Sequence, residues 1–109
     1  MLDLAPAHLD EVRRILSIHV PGYTVRAFGS RVQGTAKPFS DLDLAVMGDV
    51  PLNFRTLAAL RDAFAESNLP FRVDVVDWAA TDERFRGIIE GKFEVVVKAG
   101  EACCDIHNG

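Results

Sequence analysis

Residues 41–46, DLDLAV, alternate strictly along the chain. That two-residue period belongs to a strand with one buried face: Leu42, Leu44 and Val46 point one way, Asp41, Asp43 and Ala45 the other. Such a strand cannot stand alone. It needs neighbouring strands and a layer of helices over its apolar side. The flanking segments supply both. PAHLDEVRRILSIH (6–19) carries Leu9, Val12, Ile15 and Leu16 at helical spacing, with Pro6 suited to the first turn and Pro21-Gly22 closing the segment. YTVRAF (23–28) alternates as a strand and stops at Gly29. Residues 52–67 form a second helix with Leu57, Leu60 and Phe64 on one face. FRVDVVDW (71–78) reads as a strand, and Thr81 as the N-cap of a helix whose Phe85, Ile88 and Ile89 share a side up to Gly91. FEVVV (93–97) is the last strand.

The expected fold class is therefore α/β (α+β): a small mixed sheet of about four strands, helices packed on one face, the other face free. At 109 residues the chain sustains one modest core, so a single domain over 1–109 is expected. Residues 98–109 lack periodicity and read as a fraying tail.

The free face carries the chemistry. Asp41 and Asp43 project from it with Cα atoms roughly 7 Å apart. An isolated pair of this kind can be a plain solvated strand face. Held together away from water, the two charges repel each other, and a hard divalent cation such as Mg²⁺ reverses that cost. Gly29 and Ser30 follow a strand and precede a possible short helical turn. There glycine admits close backbone approach and the N–H groups suit an anion. Arg31 and Ser40 flank the same loop, Arg31 as either a solvent-facing side chain or a phosphate contact. Asp74 interrupts an apolar strand between Val73 and Val75 and supplies a third carboxylate, whereas Asp77 lies on the opposite face by parity and reads as a turn or cap residue. Three carboxylates from two strands make a two-metal site possible.

Gly29-Ser30, ten residues, then Asp41-Leu42-Asp43 resembles the G-S-x10-D-x-D signature of the DNA polymerase β-like nucleotidyltransferases. FGSRVQGTAKPFSDLDLAV is especially similar to the minimal nucleotidyltransferases (MNT proteins), which are often antitoxins of HEPN-domain toxins. The resemblance runs from Tyr23 to about Val97. It implies the polymerase β-like fold and transfer of AMP from ATP to a hydroxyl of a partner protein, here a HEPN-type toxin. It also implies that Gly29 and Ser30, with Arg31 and Ser40, attend the nucleotide, and that Asp41, Asp43 and Asp74 are catalytic and ligate Mg²⁺, as two ions. The core uses nearly the whole chain, so the acceptor is expected on another chain, a toxin or a second copy. Two alternatives remain open at this point: an antitoxin that masks its toxin without catalysis, and a small-molecule nucleotidyltransferase.

Other functions are disfavoured by composition. A net charge of −4 does not suit a nucleic-acid-binding module, which needs a basic face. No apolar run reaches membrane-spanning length, and MLDLAPAHLDEVRR lacks a signal-peptide arrangement. The adjacent Cys103 and Cys104 form no disulfide framework, so a reducing cytoplasm is expected. His8 and His19 read as surface or helix-end residues, and CCDIH lacks a second pair of metal ligands.

Overall fold

Pro6 at the first position and an apolar stripe of Val12, Ile15 and Leu16 form α1, Pro6–His19. Its end is closed by the Val20 N–H donating to the Leu16 carbonyl. The structure, a computed structural model, describes residues 2–37 and 39–99. After α1 come β1 (Thr24–Phe28), the short α2 (Ser30–Gln33), β2 (Leu42–Met47), α3 (Phe54–Ala65), β3 (Val73–Asp77), a 3-10 turn (Trp78–Ala80), α4 (Glu83–Gly91) and β4 (Glu94–Val97). The four strands form one mixed sheet in the order β3-β2-β1-β4. β1 runs antiparallel to both β2 and β4, and β2 runs parallel to β3. Parallel neighbours need a crossover, and α3 provides it.

The alternation in DLDLAV is obeyed. Leu42, Leu44 and Val46 join Val25, Ala27 and Val75 under α1 and α3, where Val12, Leu16, Leu60 and Phe64 close the main core. The mixed four-stranded sheet with its helices is the architecture expected. One element differs. α4 packs on the opposite face, so the helices do not all share one side: Ile89 is fully buried against Phe28 and Ala45, with Phe85, Val76 and Met47 around it. The reason is local. Ala45 is small enough to let a helix approach, and Phe85 and Ile89, four residues apart, give α4 an apolar stripe that needs cover. Ile88 points outward instead of sharing that side, at 58% exposure. The cap of α4 also moves by one residue. Asp82 accepts from the Phe85 N–H at 2.8 Å, while the Thr81 hydroxyl donates to the Asp77 carbonyl.

Both edge strands give a carbonyl to an arginine from the helical layer: Arg61 Nη2 donates to Val75 O at 2.9 Å and Arg13 Nε to Val96 O at 3.0 Å. Such caps blunt the tendency of an open edge to pair with another chain. The expected tail falls mostly outside the described residues, Cys103 and Cys104 included; the Ala99 N–H donates to Thr24 Oγ1 at 2.9 Å. Among the described residues no helix is long and apolar enough to cross a membrane.

Candidate functional site

β1 ends at Phe28, and the backbone breaks at Gly29 with φ 83° and ψ −158°. An L-side chain there is strained. It would also meet a neighbour, because Phe28 pairs with Asp43 across β1 and β2. A Cβ on Gly29 would stand 3.2 Å from Asp43 Cγ and closer still to Oδ2. The sequence therefore has glycine because the turn presses its bare backbone onto a carboxylate. Past that point α2 opens, with the Gly29 carbonyl accepting the N–H groups of Val32 and Gln33. Ser30, half-buried, is its first residue.

The carboxylates come from β2, with the residue just before it, and from β3. Asp43 and Asp74 are register partners in the parallel β2–β3 pair, and neighbouring strands stand about 4.8 Å apart. Asp41, two residues before Asp43, shares its face by parity. Burial, then the charges of Asp74 and Asp41, push the Asp43 carboxyl up to about 6. That shift marks a site rich in negative charge and short of compensation. The compensation present comes from Arg72, whose Nη2 lies 3.7 Å from Asp41 Oδ2 and whose Nε lies 3.7 Å from Asp74 Oδ1. Among the described residues, no three His, Cys, Asp or Glu side chains are gathered tightly enough to hold a metal as they stand. The donor set nonetheless fits a hard cation: all oxygen, all anionic, delivered from adjacent strands onto one face, with a guanidinium already standing where positive charge is wanted.

Arg31 and Ser40 are both tied into the loop between α2 and β2. Arg31 is 5% exposed, so it is not a solvent-facing side chain. Its Nε donates to the Ser40 carbonyl at 2.9 Å and its Nη1 to the Asp3 carbonyl at 3.0 Å. Its guanidinium also lies over the Phe71 ring at 4.3 Å. A long cation with this many inward partners ties the loop to the core. Ser40 Oγ accepts from the Lys37 N–H at 2.8 Å and shapes the same loop. Asp77 is a structural residue as parity suggested: Oδ2 accepts from the Leu52 N–H at 2.7 Å and Oδ1 from the Ala79 N–H. His8 packs edge-on against Phe71, and His19 is the last residue of α1.

An open hollow of about 1030 Å³ wraps the β3 edge, with Asp43, Asp74, Phe28 and Phe85 on its acidic side and Arg61 and Phe64 of α3 on the other. Phe28 and Phe85 meet edge to face, 5.8 Å between centroids, and make an apolar wall next to the acids. Neither Arg72 nor this aromatic wall was expected from sequence. Arg72 was legible by the same rule that paired Asp41 with Asp43, since residues 72 and 74 share a strand face. The wall required knowing that α4 crosses to the acidic side.

Residues 12–101 match the family described as Polymerase beta, Nucleotidyltransferase. Over 95 residues, 87% of this chain and 83% of the relative, the sequence is 52% identical to the probable protein adenylyltransferase MntA of Haemophilus influenzae. Two solved structures share the fold. A toxin–antitoxin complex with AMP-PNP superposes with TM-score 0.71 at 23% identity, covering 86% of this chain and 76% of the other. An MNT antitoxin bound to a tri-AMPylated HEPN toxin of Shewanella oneidensis gives TM-score 0.66 at 19% identity, covering 89% and 75%. The glycine turn pressed against paired acids, the sheet that carries them and a match spanning most of the sequence agree: this chain belongs to the polymerase β-type nucleotidyltransferase family.

Proposed function

We propose that this chain transfers AMP from ATP to a hydroxyl group of a HEPN-type toxin and thereby acts as its antitoxin. The observation that carries the reading is the register of β2 against β3, which sets Asp43 beside Asp74 while Gly29 brings the phosphate-type turn onto Asp43. The likeness to the H. influenzae adenylyltransferase over most of both chains supports AMP as the group moved.

In this reading the acceptor oxygen bonds to the α-phosphorus, the bond to the bridging oxygen of the β-phosphate breaks, and pyrophosphate leaves. Phosphoryl-type transfer depends on positioning and charge, with little covalent work for the protein. The Gly29 turn and the Ser30 hydroxyl hold the departing phosphates. Arg31 and Ser40 hold the loop that presents them. Asp41, Asp43 and Asp74 are the residues that would hold Mg²⁺, which when bound supplies the positive charge that offsets the triphosphate. In this reading Asp74, half-exposed, takes the proton of the acceptor hydroxyl. The Phe28–Phe85 wall offers an apolar surface beside the acids. In this reading the place of action is the cytoplasm.

Intact-mass measurement of the HEPN partner after co-expression tests the reading. The expected result is a gain of one or more AMP units, abolished by Asp41→Ala/Asp43→Ala. Full neutralisation of the toxin with no mass gain would refute it and favour masking by binding alone.

A further inference from the structure

Arg72 precedes β3, and its backbone carbonyl accepts the Leu42 N–H at 2.9 Å, which fixes its Cα beside the start of β2. From that anchor its guanidinium spans Asp41 and Asp74 at 3.7 Å each, while the side chain remains 75% exposed. The contacts are loose and the stem is long and solvated, so leaving costs little. Asp41 Oδ2 and Asp74 Oδ1 thus face a cation carried by the chain itself. The three acids are not gathered around a common point. A guanidinium lying across the outer two draws them toward itself, and a divalent ion placed among the same oxygens would meet both an occupied acceptor and a neighbouring positive charge.

We infer that Arg72 is the resident counter-cation of the carboxylate cluster and exchanges with the incoming divalent cation. This inference rests on the reading that Asp41, Asp43 and Asp74 hold that cation. In the exchange the guanidinium swings off Asp41 and Asp74 into the cleft, and the carboxylates it releases close on the ion. Arg72 acts as a positioning residue. It keeps three like charges compatible before loading and weakens binding of the bare ion, so that stable occupancy favours arrival together with the triphosphate, whose negative charge receives the displaced guanidinium.

The test measures the metal alone, without nucleotide. Metal-stripped protein is titrated with Mn²⁺, and the free ion is followed by its electron paramagnetic resonance signal. Two exposed ion pairs contribute modestly, so R72Q is expected to bind Mn²⁺ about three- to thirtyfold more tightly than the parent chain. R72K, which keeps the charge and loses the fork, should fall between them. A damaged fold loosens metal binding, so a gain in affinity separates exchange from a structural effect. Unchanged or weaker binding in R72Q, with R72K no different from the parent, overturns the inference. If that occurs while Asp41→Ala/Asp43→Ala abolishes Mn²⁺ binding, the carboxylate reading stands and the role of Arg72 alone falls. If neither the parent nor R72Q takes up Mn²⁺, both fall together.

Discussion

Substituting Gly29 by alanine tests the close approach on which the site depends. Two separate costs follow from the geometry. The backbone at φ 83° and ψ −158° lies in a region reserved almost entirely for glycine, and holding another residue there costs about 1–3 kcal/mol. The new Cβ would also sit 3.2 Å from Asp43 Cγ and nearer its oxygen, with Asp43 Cβ at 3.6 Å. Relieving that overlap adds on the order of 1 kcal/mol. The sum, about 2–4 kcal/mol, is measurable by urea unfolding and would lower Tm by on the order of 10–20 °C in a domain of this size. A double-mutant cycle separates the terms. In an Asp43→Ala background the overlap with the carboxylate disappears and the backbone strain remains, so Gly29→Ala should cost about 1 kcal/mol less there than in the parent chain. A cost below about 0.5 kcal/mol, the range of ordinary surface substitutions, would refute this account of the turn. An equal cost in both backgrounds would show that strain alone forbids a side chain and that the turn does not press on Asp43.

Two further outcomes are expected. Asp43 has its carboxyl raised to about 6 in the folded chain against 3.8 for the free group, so the folded state binds the extra proton between those values and stability falls as pH rises through that window. Without metal, Asp43→Asn should be more stable than the parent at pH 7, by no more than about 1 kcal/mol after solvent screening of a half-exposed group, and should lose that advantage below pH about 4; urea midpoints that do not converge at low pH would contradict this. Arg31→Met removes donors to the Ser40 and Asp3 carbonyls and should destabilise by about 2–3 kcal/mol, while ATP affinity, measured by calorimetry well below the melting temperature, changes less than it does in Ser30→Ala; a large selective loss of ATP binding with unchanged stability would restore Arg31 as a phosphate contact.

Much of the fold could be read before any coordinates, because period and punctuation coincide in this chain. Pro6 and Pro21-Gly22 bracket α1, and the strict alternation of 41–46 sets the faces of β2. What escaped was tertiary. α4 crossed to the acidic face because Ala45 leaves room beside Phe28, and nothing in a helical stripe says which side of a sheet it will cover. The acids follow local parity, so Asp41, Asp43 and Asp74 were expected on one face, where the strand register has Asp43 beside Asp74, and Asp77 as a turn or cap residue, which it is. For Arg31 a solvent-facing side chain and a phosphate contact were both open, and its burial was not anticipated because arginine is seldom buried; only the fold shows the carbonyls of Asp3 and Ser40 converging on it. Arg72 was overlooked although its parity with Asp74 was available, since a charge at the start of a strand looks like ordinary surface.

Asp77 never reaches the cleft, yet it governs what happens there. By gripping the Leu52 amide from the end of β3, it locks that strand against sliding along β2. A displacement of a single residue would send Asp74 into the oily layer and turn Val73 and Val75 toward the face that carries Asp43. One aspartate is thus spent as an anchor so that another, three positions upstream, always surfaces on the correct side.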